Sequence, residues 1–289
     1  MNPYLNPQRV RAALRALDLR PTRGMGQNFL VDPVALAAIV EAAALQPDDL
    51  VIEVGPGLGV LTWELTRRAG LTIAVELDKR LAARLRDEFA GAPLRIVQAD
   101  VLRVAPGELL AAAERQPPYK LVANLPYAIT APVLRHFLEA REPPDLSVVL
   151  VQWEVAERIT AAPGDLSVLA HAVQLYAAPE IVTRVSASSF YPQPAVDSAV
   201  LRLRRRDVPP VEVADVQALF RVIKAGFLHP RKQLGNALAG GLAALGIKVS
   251  REQALAALER AGIAPTRRAE TVTLAEWAAL THALTPLLP

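Results

Sequence analysis

Short apolar segments alternate with amphipathic segments from residue 50 onward, and this alternation constrains the fold more than any other feature of the sequence. Five apolar segments of strand length cover residues 50–55, 71–76, 94–99, 119–124 and 146–151. Helical periodicity separates them, most clearly over 60–68, 78–89 and 130–139, where Asp78 is a suitable N-cap. Continuous apolar strands joined by helices are typical of a parallel sheet covered on both faces. The sequence therefore predicts an α/β, Rossmann-like, doubly wound sheet.

The pattern changes after Trp153. Two β-rich segments near 180–187 and 198–204 have no helix between them, and they follow helical segments near 153–160 and 165–177. Two strands without a crossover helix pair antiparallel, so we expect a hairpin at the edge of the sheet.

A charged, proline-marked segment at 202–210 ends this part of the chain. The rest has helical periodicity, with predicted helices near 212–228, 231–243, 250–261 and 273–285. A length of 289 residues fits one large domain or two smaller ones. We predict an α/β domain over 1–206, beginning with a basic extension at 1–22, and a small all-α domain over 207–289.

The net charge of +3 conceals an uneven distribution. The first thirty residues contain five arginines and one acid, and residues 200–270 contain thirteen basic and six acidic residues. Basic ends around an acidic middle suit a polyanionic partner such as RNA.

The chain has no cysteine, which excludes disulfides, a thiolate zinc site and a cysteine nucleophile. No signal-peptide or membrane-spanning pattern is found, so we expect a soluble, cytoplasmic protein.

Three predicted strands end in residues that suit an adenosine ligand. The first runs into the glycine turn Glu53-Val-Gly55-Pro-Gly57-Leu-Gly59, where glycine allows a tight turn close to a ligand. Glu76 ends the second strand, 21 residues after Gly55, in the position of a carboxylate that binds both ribose hydroxyls. Asp100 follows the third strand and can accept a hydrogen bond from an adenine amino group. The glycine spacing, G-x-G-x-G, differs from the dinucleotide pattern G-x-G-x-x-G and suits S-adenosylmethionine better.

The segment Asn124-Leu125-Pro126-Tyr127 follows the fourth strand and faces the same crevice. An adenine amino nitrogen is a poor nucleophile because its lone pair is delocalised into the ring. Hydrogen bonds from this NH₂ group to the side-chain carbonyl of Asn124 and the backbone carbonyl of Leu125 would turn the lone pair towards a methyl donor. Pro126 lacks an amide donor that would compete for these acceptors, and Tyr127 can stack on an unstacked base. This segment predicts methyl transfer to adenine nitrogen.

With these motifs in order, the sequence resembles the KsgA-type ribosomal RNA adenine N6-dimethyltransferases. The segments that carry the resemblance are Gly26-Gln-Asn-Phe-Leu30, 53–59, Val75-Glu-Leu-Asp78, Gln98-Ala-Asp100, 124–127 and Phe190-Tyr-Pro-Gln-Pro-Ala-Val-Asp-Ser-Ala199. The resemblance runs from about residue 23 to residue 280. It implies a class I methyltransferase domain with a small helical domain, and S-adenosyl-L-methionine as the cofactor. It also implies N6,N6-dimethylation of two adjacent adenosines in the 3′-terminal hairpin of 16S rRNA, within an immature 30S subunit whose assembly the enzyme monitors.

The resemblance assigns roles to individual residues. It places Gln27, Asn28 and Leu30 at the methionine end of the cofactor, Gly55 in the glycine turn, Glu76 at the ribose, and Asp100 and Val101 at the adenine. Gly57 and Leu77 are also expected to bind the cofactor. It gives Asn124 both a cofactor contact and, with Leu125 and Pro126, the positioning of the target base. Tyr127 and Phe190 are expected to be the aromatic residues that stack on that base.

Basic residues of the chain are candidates for sequence-independent phosphate contacts. Those we select are Arg23, Arg205, Arg206, Lys224, His229, Arg231 and Lys232. The four histidines lack ligand spacing, so we expect no metal site. The protein is expected to act as a monomer.

Two stretches depart from the family pattern. Ala128 replaces an asparagine after Tyr127, and 163–167 reads Pro-Gly-Asp-Leu-Ser, without the arginine common there.

A large-subunit adenine methyltransferase that confers antibiotic resistance would share the site, but the 190–199 segment and the helical tail favour the small-subunit type. An inactive RNA-binding relative would not need Glu76, Asp100 and Asn124. An NAD-dependent oxidoreductase is disfavoured by the glycine spacing.

Overall fold

The structure is a computed structural model that describes residues 2–19 and 28–288. The chain divides into two compact units. One comprises Met1–Ala156 and Ala177–Arg205, and the other comprises Glu157–Tyr176 and Arg206–Pro289. The first is an α/β unit and the second is helical.

A seven-stranded sheet forms the centre of the α/β unit. Its strands are β2 (Leu50–Val54), β3 (Leu71–Glu76), β4 (Leu94–Gln98), β5 (Lys120–Asn124), β6 (Leu146–Gln152), β7 (Ala177–Val185) and β9 (Ser198–Arg205). They lie in the order β4-β3-β2-β5-β6-β9-β7, in which the first five are parallel, β9 runs antiparallel to β6, and β7 runs antiparallel to β9. This confirms the predicted Rossmann-like sheet with an antiparallel edge hairpin.

The burial of each strand agrees with its place in the sheet. Every residue of β2 is buried, as expected of a central parallel strand covered on both faces. In the edge strand β7, exposed residues alternate with less exposed ones. A bulge between Ile181 and Thr183 interrupts the pairing of β7 with β9.

Helices follow most strands of the α/β unit. They are α1 (Pro7–Ala16), α2 (Pro33–Ala43), α3 (Val60–Leu65), α4 (Lys79–Glu88), α5 (Pro106–Ala112) and α6 (Thr130–Leu138). A further helix, α7 (Trp153–Ile159), begins in this unit and ends in the other one. Asp78 caps α4 as predicted, because its carboxylate accepts hydrogen bonds from the backbone N–H groups of Arg80 and Leu81. Ile39 of α2 and Leu65 of α3 are buried in one apolar cluster with Val51 of β2.

A second, two-stranded sheet joins two motifs that are far apart in the sequence. Its strands, β1 (Phe29–Leu30) and β8 (Phe190–Tyr191), are antiparallel. Beside it, the Ser189 hydroxyl donates a 2.6 Å hydrogen bond to the Asp32 carboxylate, and this bond holds the pKa of Asp32 below its ordinary value. The segment that begins at Asn28 is thereby attached to the strand at 190–191.

The helical unit contains α8 (Val168–Gln174), α9 (Val216–Phe227), α10 (Leu234–Ala244), α11 (Arg251–Arg260) and α12 (Leu274–Leu284). Trp277 is fully buried at its centre and donates a 3.2 Å hydrogen bond from Nε1 to Nε2 of His171. Burial lowers the pKa of His171 to about 4, so this imidazole is neutral at physiological pH. In the described parts of the chain, no helix is long and apolar enough to cross a membrane.

The boundary between the units differs from the sequence expectation in one segment. Residues 157–176 belong to the helical unit, whereas we expected the first domain to run without interruption to residue 206. The physical reason is packing, because Ala172 and Leu175 are buried in the same apolar cluster as Leu219 and Trp277.

Candidate functional site

The candidate site is a cavity of about 640 Å³ at the carboxyl ends of the parallel strands. The chain runs from β2 outward to β3 and β4, and then returns to place β5 on the other side of β2. Such a reversal of strand order opens a crevice, which is where open α/β sheets bind ligands. Gly55, which follows β2, and Asn124, the last residue of β5, lie on its two sides.

The glycine turn after β2 forms the floor of the cavity. Gly57 has φ +57°, and its backbone N–H donates a 3.1 Å hydrogen bond to Oε2 of Glu76. A Cβ atom at Gly57 would lie 3.1 Å from the ring of Phe29, and one at Gly59, where φ is +87°, would lie 2.8 Å from the ring of Phe89. The turn therefore combines left-handed backbone with close packing, which together require glycine.

Glu76 ends β3 with its side chain buried beside this turn. Its Oε2 accepts from Gly57, and its Oε1 accepts a 2.9 Å hydrogen bond from the backbone N–H of Asp78. Burial raises its pKa, while the two backbone hydrogen bonds oppose that shift. Each carboxylate oxygen can accept a further hydrogen bond, so the group fits the paired hydroxyls of a ribose.

Leu77, Asp100 and Val101 line the next part of the cavity. Leu77 is 67% exposed, which is unusual for a leucine, and it offers an apolar surface at the rim. Val101 is buried in the wall. Asp100 accepts a 3.0 Å hydrogen bond from the backbone N–H of Leu102, which fixes one of its oxygens. Its other oxygen lies 3.4 Å from Nε of the exposed Arg103.

Asn124 is attached to the opposite wall by a single hydrogen bond. Its Nδ2 donates to the backbone carbonyl of Asn28 over 3.1 Å, which orients the amide and leaves Oδ1 as the acceptor. Asn28 and Leu30 line the same cavity. Pro126 packs over the glycine turn, with its Cδ 3.6 Å from where a Cβ of Gly55 would be.

Of the two aromatic residues expected to stack on the target base, Tyr127 and Phe190, the structure places only Tyr127 at the cavity. Tyr127 lines the cavity half-buried, and its hydroxyl lies 2.8 Å from Oγ of the buried Ser198. Burial raises the pKa of Tyr127, so the phenol stays protonated. Phe190 does not line the cavity: its ring is 4% exposed and packs in the core cluster with Leu30 and Ile39. Phe190 is therefore too buried to stack on a base, because its side chain packs against the apolar core beneath β8.

Glu53 is a buried carboxyl group beneath the cavity. It is 1% exposed and accepts a 2.7 Å hydrogen bond from the hydroxyl of Thr62. Burial raises the pKa of Glu53 to about 8, the hydrogen bond from Thr62 opposes the shift, and the nearby Glu76 adds to it. Glu53 is therefore protonated near neutral pH and is unsuited to the role of general base there.

Replacing Glu53 by glutamine is expected to flatten the pH dependence of stability. The folded pKa of about 8 exceeds the ordinary value of 4.5, so the folded state holds one more proton between these values. The free energy of unfolding should fall as pH rises through that window, by up to about 1.4 kcal/mol per pH unit. Urea unfolding of both proteins from pH 5 to pH 9 measures the slope. Glu41→Gln, on the exposed side of α2, is the control, and equal slopes in all three proteins would contradict the assignment.

The candidate phosphate-binding residues fall into two groups. Arg205 forms a 2.8 Å ion pair with Asp145, and Nε of Arg206 donates a 3.0 Å hydrogen bond to the backbone carbonyl of Gln174. By contrast, four candidates in the helical unit are exposed and form no ion pair within the described part of the chain: Lys224, His229, Arg231 and Lys232. Arg23 and Gln27, which we also selected, lie outside the described residues.

Several apolar residues of the cavity wall were not selected from the sequence, among them Phe29, Leu58 and Leu81. Phe29 lies within the 26–30 motif and Leu58 within the glycine turn, so their positions could have identified them. Leu81 carries no such signal, because it is one of several leucines on an amphipathic helix. Across residues 2–19 and 28–288, no group of three or more His, Asp or Glu side chains could hold a metal ion.

A parallel sheet with this strand order, a glycine turn that contacts a strand-end carboxylate, and an Asn-Leu-Pro-Tyr segment across the crevice define a class I methyltransferase. A model of the family described as ribosomal RNA adenine dimethylase matches residues 20–285. The chain belongs to this family, which confirms the resemblance seen in the sequence.

Known relatives are similar over most of their length. A protein of Dehalococcoides mccartyi called "Ribosomal RNA small subunit methyltransferase A" is 47% identical over 260 residues, which cover 90% of this chain and 87% of the relative. A protein of Moorella thermoacetica with the same name is 43% identical, covering 98% of this chain and 99% of the relative.

Two solved structures share the fold. The 23S rRNA methyltransferase ErmE has a TM-score of 0.67 and 32% identity, covering 89% of this chain and all of that one. A dimethyladenosine transferase from Plasmodium falciparum has a TM-score of 0.72 and 24% identity, covering 89% of this chain and 98% of that one.

Proposed function

We propose that this protein uses S-adenosyl-L-methionine to dimethylate N6 of two adjacent adenosines in the 3′-terminal hairpin loop of 16S rRNA. The substrate is the immature 30S subunit, and the modification accompanies small-subunit biogenesis in the cytoplasm. The observation that carries the proposal is the anchored amide of Asn124, whose oxygen is left as an acceptor on the wall of the cavity that Glu76 and Asp100 also line. The relatives named small-subunit methyltransferases support the choice of substrate.

The residues of the cavity fit the cofactor from end to end. Glu76 would accept hydrogen bonds from both ribose hydroxyls, because each of its oxygens has one backbone partner and remaining acceptor capacity. Asp100, Val101 and Leu77 would hold the adenine. Gly57 permits close approach, and the methionine end would lie towards Asn28 and Leu30, at the Asn124 side. When bound, the cofactor supplies a methyl group activated by the neighbouring sulfonium.

The protein contributes orientation to the chemistry. Oδ1 of Asn124 and the carbonyl oxygen of Leu125 would accept the two N–H bonds of the target amino group, turning its lone pair towards the methyl donor. Pro126 has no backbone N–H group that could compete for these acceptors. The ring of Tyr127 would stack on the base that has left its RNA stack.

Proton removal needs no dedicated base in this proposal. The amino nitrogen becomes acidic as it is alkylated, so water can take the proton. Glu53, the carboxyl group below the cavity, is protonated near neutral pH and remains a hydrogen-bond partner of Thr62. We further propose that the protein acts as a monomer without a metal ion.

Transfer of a radiolabelled methyl group tests the proposal. Purified protein is incubated with tritiated cofactor and 30S particles that lack the modification, and with 23S rRNA in parallel. We expect label in the 30S particles alone, and mass spectrometry of the digested 16S rRNA should show two neighbouring N6,N6-dimethyladenosines. Label confined to 23S rRNA would identify a large-subunit enzyme, and no label in either RNA would indicate a binding protein.

Removing the hydroxyl of Ser198 is expected to impair use of the RNA substrate. Ser198 is buried between β6 and β7 and fixes the hydroxyl of Tyr127, so Ser198→Ala frees the tyrosine ring. Loss of one such hydrogen bond corresponds to about a two- to tenfold rise in KM for 30S particles. Tyr127→Phe should have a similar effect, and the double variant should be no worse than either single one.

Initial rates at varied 30S concentration give these KM values, and a titration with S-adenosylhomocysteine should give an unchanged Kd. Ser188→Ala, the same substitution at an exposed position, is the control. Additive losses in the double variant would show that Ser198 and Tyr127 act separately.

A further inference from the structure

Helix α1 lies against the outer side of the cavity wall. Val10 and Leu14, its buried residues, form an apolar cluster with Phe29, Leu58 and Leu81. These last three residues also line the cavity. The cavity wall thus has the proposed cofactor site on one side and α1 on the other.

Two contacts attach α1 to elements that border the site. The guanidinium of Arg11, in the middle of the helix, lies 4.8 Å from the ring centre of Tyr191, the residue of β8 that pairs with Phe29. After the C-terminal end of α1, Arg80 of α4 donates hydrogen bonds from Nη1 to the carbonyl oxygens of Leu17, at 3.3 Å, and Asp18, at 3.2 Å. These contacts fix which side of α1 faces outward.

The outward side of α1 carries uncompensated positive charge. Arg9, Arg11 and Arg15 are exposed, and none forms an ion pair with an acid among residues 2–19 and 28–288. Asp18 is the one acid in the sequence of residues 2–19, and it interacts electrostatically with Arg80 of α4. Other arginines of the same unit do have acidic partners, including Arg68, Arg84, Arg135, Arg184 and Arg202.

We propose that the α1 arginine surface, formed by Arg9, Arg11 and Arg15, binds backbone phosphates of the RNA beside the target adenosine. Guanidinium groups match phosphate oxygens geometrically, and these three are exposed on a fixed helix without an ion-pair partner among the described residues. Arg11, held against Tyr191, is next to β8 and therefore close to the strand pair that borders the cavity. This inference rests on the proposed function, because it takes the RNA substrate from it.

The triple variant Arg9→Gln, Arg11→Gln, Arg15→Gln tests the inference. We expect KM for 30S particles to rise about tenfold at low salt, with kcat and the Kd for S-adenosylhomocysteine unchanged. The slope of log affinity against log salt concentration should become shallower by about two, since each phosphate contact contributes slightly less than one. The control is Arg86→Gln, Arg95→Gln, Arg115→Gln, which removes equal charge from exposed positions on α4, on β4 and after α5 that form no ion pair in the described part of the chain.

The outcomes separate this inference from the proposed function. If the unsubstituted protein methylates 30S particles and the α1 variant has the same KM and salt slope as the control, the α1 arginine surface does not bind RNA. If the unsubstituted protein transfers no methyl group to 30S particles, the proposed function fails instead. The variant Arg9→Gln, Arg15→Gln keeps the contact between Arg11 and Tyr191, so about two thirds of the effect should remain if charge, and not lost packing, is responsible. A response to acidic protein or to anionic vesicles but not to RNA would also overturn the inference.

Discussion

Asn124→Ala is expected to lower the rate of methyl transfer at least about 100-fold, while the Kd for S-adenosylhomocysteine rises much less. Removing one preorganised hydrogen-bond partner of a reacting group typically has an effect of this size. In this structure the amide of Asn124 is held by its donor side, because Nδ2 bonds to the carbonyl of Asn28. Alanine removes the acceptor and the anchor together, and the target amino group then has the carbonyl of Leu125 alone to orient it.

Single-turnover rates with saturating 30S particles isolate the chemical step, and calorimetric titration measures binding. Asn236→Ala is the control, since it makes the same substitution at an exposed position on α10. Asn124→Asp should also be strongly impaired, because a carboxylate cannot donate to the Asn28 carbonyl and would oppose its dipole. Equal losses of rate and binding in Asn124→Ala would place its role in cofactor binding instead of base orientation.

The sheet and the cavity could be predicted because their residues carry strong local signals. Continuous apolar segments mark the five parallel strands, and glycines, a carboxylate and the 124–127 segment follow the ends of those strands. In a parallel sheet these ends share one edge, so sequence position alone brings Gly55, Glu76, Asp100 and Asn124 together. The absence of a helix between the last two β-rich segments likewise predicted the antiparallel edge.

Features that depend on tertiary packing were not predictable in the same way. Helices α1, α2 and α5 went unassigned, since α2 is apolar almost throughout and α1 resembles a basic tail. Residues 157–176 have an apolar face, but nothing in the sequence says which core it joins. Phe190 belongs to a motif that suggests an aromatic contact with the base, yet the strand that contains it buries the ring.

Gly241→Ala is expected to destabilise the helical unit by about 3 kcal/mol or more. Gly241 lies where α10 crosses α9, and a Cβ atom there would be 2.1 Å from the carbonyl oxygen of Ala225. Backbone cannot move aside as a flexible side chain can, so the two helices would have to separate. Overpacking of a buried contact usually costs 1 to 3 kcal/mol, and a clash with backbone lies at or above the top of that range.

The preceding residue supplies a matched control. Gly240 is in the same helix, but it is exposed, and a Cβ atom there would meet nothing within 4 Å. Gly240→Ala should therefore stabilise the protein by up to about 1 kcal/mol, because alanine has the higher helix propensity. Urea unfolding followed by the fluorescence of Trp277, which is buried in this unit, compares the two variants. Similar midpoints for Gly240→Ala and Gly241→Ala would mean that α9 and α10 do not approach each other as closely as their backbones indicate.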